Sequence, residues 1–207
     1  MKLILRRMQN QREVKKLIEQ RAKDPPPNNS ILFIGSSILR LWTTLESDMY
    51  PLPVFNQSFG GSRTWEVLQH TDKLVLPYQP KIIVYYCGSN DINVGCDAIS
   101  IHHRFQLFAE RITTHLPTTR IFYLSIICAP QKGDRLYIVD DANKAIEQYC
   151  QHTANLEFID LNSAIADDLG KPRLELYQGD RLHFKPEAYR EFNRILRPIL
   201  MDAWNQT

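Results

Sequence analysis

In Lys81-Ile82-Ile83-Val84-Tyr85-Tyr86-Cys87 an unbroken apolar and aromatic run follows a single lysine, with no polar residue alternating along it. A strand with one solvated face alternates in polarity, whereas a strand covered on both faces of a parallel sheet is continuously apolar. The run therefore predicts an inner strand of an α/β protein. Comparable runs stand on either side at Ile31 to Ile34 (ILFI), Val54 to Phe55, Arg120 to Ile127 (RIFYLSII) and Glu157 to Leu161 (EFIDL). The segments between them have helical spacing: Ile99, Phe105, Phe108 and Ile112 are assigned to one face between about Ala98 and His115. Ile138, Ala142, Ala145, Ile146 and Tyr149 form a second such face. A last helix is predicted from Pro186, a helix-start proline, to about Trp204, with Tyr189, Phe192, Ile195 and Leu196 on one side. A further helix near Glu13 to Ala22 precedes the first strand.

Strand alternating with helix in this way predicts a parallel α/β sheet of about five strands in a doubly wound layer sandwich. The chain has 207 residues, a length that suits one domain over 1–207. The proline-rich Asp24 to Ser30 stretch joins the first helix to the first strand, so residues 1–30 are expected to pack on the domain. Lysine plus arginine (25) nearly balances aspartate plus glutamate (23), which provides no field for nucleic acid or an anionic membrane surface. The apolar start of the chain is four residues long before two arginines, too short for a secretion signal, and no run of about 18 apolar residues follows. Neither export nor a membrane anchor is expected. The four cysteines, Cys87, Cys96, Cys128 and Cys150, form no C-x-x-C pair and read as reduced thiols of a cytoplasmic protein. Cys87 and Cys128, at the ends of apolar runs, are expected to be buried.

In doubly wound sheets ligands bind beyond the carboxyl ends of the strands. Here the first strand runs into Gly35-Ser36-Ser37, the second into Asn56-Gln57-Ser58-Phe59-Gly60-Gly61-Ser62 and the third into Gly88-Ser89-Asn90-Asp91. Acyl transfer requires a hydroxyl nucleophile, an imidazole to take its proton, a carboxylate to orient that imidazole, and donors for the oxygen that becomes negative. Ser37 lies where a strand turns into a helix; alone it reads equally as a helix cap. Asp180 and His183 are three residues apart, so one turn brings carboxylate and ring together; alone they read as a surface pair. Gly61 allows a close backbone approach and Asn90 offers a neutral N–H donor, which with the N–H of Ser37 would form an oxyanion hole.

ILFIGSSILRLW, FNQSFGGSRTW, YYCGSNDIN and YQGDRLHFKPEAY, in that order, resemble the serine, glycine, asparagine and Asp-x-x-His blocks of the SGNH hydrolases, also called GDSL esterases and lipases. The resemblance covers about residues 31–196. It implies a flavodoxin-like three-layer α/β/α sandwich, Ser37 as nucleophile, His183 as general base and then acid, Asp180 as its orienter, and Ser37, Gly61 and Asn90 as oxyanion donors. Where the family has Gly-Asp-Ser this chain has Ser36 in the aspartate's place, so Ser36 competes as nucleophile, although the register of the following helix favours Ser37. The G-x-S-x-G elbow, a P-loop and a dinucleotide fingerprint are absent. His102-His103 reads as a solvated helix face, and no metal or cofactor is expected.

The activity so implied is hydrolysis of a small ester through an acyl-enzyme on Ser37, rising as the imidazole becomes neutral. Short acyl esters, including acetyl esters of carbohydrates, come first as substrates, and a lysophospholipid or thioester next. The rival class is a ligand-binding module that keeps the fold without turnover. Arg40, Trp42, Arg63, Trp65 and Tyr177 lie near the site blocks but read as packing rather than binding residues.

Overall fold

The computed structural model describes residues 2–27 and 29–206, including the side chains of all but 2–5 and 7. Five parallel strands form one sheet: β1 (Ile31–Gly35), β2 (Val54–Asn56), β3 (Ile82–Tyr86), β4 (Arg120–Leu124) and β5 (Leu156–Ile159). Their order is β2-β1-β3-β4-β5, the flavodoxin-like arrangement in which the chain reverses direction across the sheet between β1 and β3.

The continuous apolar runs have a direct structural cause, since successive residues of each strand serve opposite faces. Ile31, Phe33, Val84, Tyr86, Phe122 and Leu124 join a core with α2 (Ser37–Arg40), α3 (Leu45–Met49), α8 (Asn162–Ile165) and α9 (Pro186–Asn205). Leu32, Ile34, Ile83, Tyr85, Ile121 and Tyr123 join a second core on the other face with α1 (Lys2–Lys23), α4 (Thr64–Leu74), α6 (Ala98–His115) and α7 (Leu136–Gln151). A short helix, α5 (Ser89–Asn93), follows β3. No helix among the described residues is long and apolar enough to cross a membrane.

Three expectations about side chains are corrected. Ile99 does not share the buried face of α6: it is 77% exposed, and Ile101, in register with Phe105, Phe108 and Ile112, takes the inward position. The spacing from 99 to 105 is six residues, close to two-thirds of a turn out of phase. His102 is half-buried, its ring edge-on to Tyr149 at 5.5 Å across the α6 and α7 interface, while His103 is exposed. Cys87 is buried, but Cys128 is only half-buried, with its thiol 3.6 Å from Asp140 Oδ1 on the first turns of α7.

Candidate active site

The site stands at the carboxyl edge of the sheet, at the reversal between β1 and β3. Gly35 ends β1 at φ +154°, and a Cβ there would lie 1.9 Å from the carbonyl oxygen of Tyr86. Only a glycine lets β1 and β3 stay in register while the chain turns away into α2. The next residue, Ser36, has extended backbone, donates its N–H to Tyr86 O at 3.1 Å and accepts Arg40 N–H at 3.0 Å, so it serves as the N-cap of α2. Ser37 is then the first helical residue.

Ser37 Oγ lies 2.9 Å from His183 Nε2, and His183 Nδ1 lies 2.5 Å from Asp180 Oδ2. One turn holds the pair. Asp180 Oδ1 accepts the backbone N–H groups of Leu182 (3.0 Å) and His183 (2.9 Å), and the loop is closed by Gln178 N–H to His183 O at 2.7 Å. An isolated antiparallel bridge between Tyr177 and Phe184 fixes the base of this loop, and Phe184 packs against Tyr189 and Phe192 of α9. Burial pushes the Asp180 carboxyl up, but the hydrogen bonds from His183 and Leu182 outweigh it and hold the group below the ordinary carboxylate range. Ionised Asp180 then selects the His183 tautomer with hydrogen on Nδ1, leaving the Nε2 lone pair toward the serine hydroxyl.

Gly61 follows β2 in left-handed backbone at φ +67°. Its carbonyl accepts a hydrogen bond from the Arg6 guanidinium, and neighbouring Gly60 donates its N–H to Glu13 Oε2 at 2.7 Å. Asn90, in the first turn of α5, donates one amide hydrogen to Ser62 O at 3.1 Å. Its second amide hydrogen and the backbone N–H groups of Ser37 and Gly61 meet no acceptor among the described residues.

The surroundings contain residues that sequence reasoning missed. Glu66, buried in α4, accepts Arg63 N–H (2.9 Å) and Asn10 Nδ2 (2.8 Å) and pairs with Arg6 at 3.2 Å, so α1 is bolted onto the glycine loop. Asp91, wholly buried beside Asn90, accepts Thr64 N–H (3.0 Å), Thr64 Oγ1 (2.7 Å) and Arg104 (3.0 Å), tying α5 to α4 and α6. Burial raises its carboxyl pKa against those bonds. The i,i+3 spacing of Arg63 and Glu66 hinted at a cap, but Asp91 was marked only by adjacency to Asn90. Of the five residues expected to pack, Trp42 and Tyr177 are buried in the core, Arg63 and Trp65 are half-buried, and Arg40 is exposed with its guanidinium against Gly60. No group of three or more His, Cys, Asp or Glu among the described residues is placed to hold a metal ion.

The sequence over residues 36–191 matches the model of the GDSL-like lipase/acylhydrolase family. The chain belongs to that family. Among solved structures, this GDSL-family chain is similar to a Streptococcus pneumoniae protein provisionally named as a platelet activating factor, at 21% identity over 93% of each chain with a TM-score of 0.82. A GDSL-like lipase of Bacteroides thetaiotaomicron aligns at 17% identity over 92% of this chain and 98% of its own, with a TM-score of 0.76. A carbohydrate esterase family 3 protein of Talaromyces cellulolyticus aligns at 16% identity over 86% and 99%, with a TM-score of 0.69. At these identities the GDSL-family likeness is one of fold. No functionally curated protein matches the chain at the sequence level.

Proposed function

We propose that the protein is a serine ester hydrolase in which Ser37 attacks a short acyl ester. The observation that carries this reading is the continuous chain of contacts from Ser37 Oγ through the His183 ring to Asp180. Attack forms the bond from Oγ to the carbonyl carbon while Nε2 takes the hydroxyl proton, and the carbonyl oxygen becomes negative. The unengaged N–H groups of Ser37, Gly61 and Asn90 are the donors that would receive it. Collapse expels the alcohol, which takes its proton from Nε2. Water, activated by the same nitrogen, then releases the carboxylic acid and restores Ser37.

Residues 1–207 act as one domain in this reading, with α1 bracing the glycine loop through Arg6, Asn10 and Glu13. In this reading Ser36 is the backbone N-cap of α2 and not the nucleophile: its carbonyl accepts Arg40 N–H, its N–H goes to Tyr86 O of β3, and among the described residues the hydrogen bond to His183 is made by Ser37 Oγ. The short-acyl preference draws on two structural relatives, the carbohydrate esterase and an acetyl esterase crystallised with acetate.

Hydrolysis of p-nitrophenyl acetate by wild type, Ser36→Ala and Ser37→Ala tests this. Ser36→Ala is expected to retain most of the activity, and Ser37→Ala to fall to background. Equal turnover in wild type and Ser37→Ala overturns the reading.

A further inference from the structure

The loop between β4 and α7 buries a lysine that the triad does not use. Lys132 is 1% exposed, and its Nζ donates to Ser89 O at 2.8 Å and to Asn93 Oδ1 at 2.8 Å. Both acceptors lie on α5, one residue before Asn90 and three after it. The same loop sends Arg135 to Ile92 O at 3.2 Å and Gln131 N–H to Arg181 O at 3.1 Å. Residues 131–135 therefore grip the helix that carries Asn90 with two cations and hold the Asp180 to His183 turn with a backbone bond.

Burying an ammonium is costly unless it is hydrogen-bonded, and a lysine is among the side chains least often found fully buried. Burial, with the nearby Arg135 charge adding to it, pulls this one down to about 8. Among the described residues no carboxylate pairs with it: the charged side chain on the facing helix, Asp91, is taken up by Thr64 and Arg104. A five-residue helix cannot hold itself in place in water, so its position comes from such tertiary anchors. Asp91 anchors one side of α5 and Lys132 the other.

We infer that Lys132 is a positioning residue for the oxyanion hole, holding α5 so that the free amide hydrogen of Asn90 faces the carbonyl oxygen of the substrate. This rests on the assignment of Asn90 as an oxyanion donor, and misplacing a donor by about an ångström is enough to lose most of its effect on the transition state. Substrate binding before the reaction is affected much less.

The test is a double-mutant cycle on p-nitrophenyl acetate with Lys132→Met, which keeps most of the side-chain length, and Asn90→Ala. Asn90→Ala alone is expected to lower kcat about a hundredfold. Lys132→Met alone should lower kcat about tenfold or more with KM changed less than about threefold, while in the Asn90→Ala background it should cost less than about twofold. Full multiplication of the two losses, or a Lys132→Met enzyme with wild-type kcat, overturns the inference. If Asn90→Ala itself has wild-type kcat, the assignment of Asn90 fails and the inference falls with it. Circular dichroism melts establish that each variant is folded. Should Lys132→Met not fold, Asn93→Ala removes one of the two acceptors without removing the lysine, and the same non-additivity with Asn90→Ala is expected at a smaller, several-fold loss; additivity there overturns the inference equally.

Discussion

The Nε2 atom of His183 lies 2.9 Å from Ser37 Oγ across 146 positions of sequence. Those two residues meet because β1 ends at the crossover point of the sheet, where Gly35 allows an abrupt exit, and because α9 packs beneath α2 and carries the Asp180 to His183 loop to the same edge. Tyr189 of α9 donates its hydroxyl to Ile38 O at 3.0 Å, one residue beyond Ser37, which fixes the two elements against each other. The pairing is a property of the tertiary fold and makes several consequences measurable.

Replacing Asp180 by asparagine keeps the turn's shape but removes the charge that fixes the His183 tautomer. A loss of about 10²- to 10⁴-fold in kcat is expected, at the upper end if the ring inverts its tautomer as in other triads. Because hydrogen bonds hold the carboxyl below its ordinary range, Asp180 is expected to stay ionised through mildly acidic pH, so its own protonation should not limit wild-type kcat/KM there. The sign for stability is the same: a carboxyl with a depressed folded pKa stabilises the fold above its unfolded value and loses that contribution as the pH drops through the folded one. With the side chain 47% exposed, that contribution is small, and the kinetic loss should appear without a matching shift in Tm.

Gly35→Ala should fail to give folded protein. The added methyl group would sit at 1.9 Å from Tyr86 O, so β1 and β3 must part at the point from which Ser37 is launched. Gly61→Ala is different in kind: its Cβ would meet only Arg6 Nε at 3.6 Å, so the penalty is that of left-handed backbone, about 1–2 kcal/mol. A thermal melt checks both: Gly35→Ala should show no cooperative transition, and Gly61→Ala a cooperative one at a modestly lower Tm.

Asp91→Ala is expected to destabilise the protein by about 3–5 kcal/mol, since it strips Arg104 of its partner and leaves the Thr64 N–H and hydroxyl buried without an acceptor. Urea unfolding reports that loss as a lower midpoint. Arg104→Met, at a side chain 28% exposed, should cost less.

Five strands, the parallel arrangement and the four site segments were legible because each has a local signature: a continuous apolar run, followed by small and polar residues at one end. The predicted strands overran at Ile127 and Leu161 because those residues are buried in loops beyond the last ladder bonds, and hydrophobicity alone does not mark where pairing stops. Ile99 was misplaced by phase, and His102 was misjudged because α7 lies against it, a neighbour that periodicity within α6 does not reveal; the burial of Cys128 was overestimated because it lies in the loop after β4 ends at Leu124, outside the sheet's covered faces. Asp180 and His183 were readable because their contact is made inside one turn. Glu66, Asp91 and Lys132 were not, because their partners lie 56, 27 and 43 positions away and their roles exist only once α1, α4, α5 and the β4 to α7 loop have assembled.

The most direct measurement is phosphonylation by a fluorophosphonate probe, with the modified position located by fragment mass spectrometry. Activation of Ser37 by His183 predicts a single adduct on Ser37, abolished in both Ser37→Ala and His183→Ala. An adduct on Ser36, or a folded wild-type protein that the probe leaves unmodified, would contradict it.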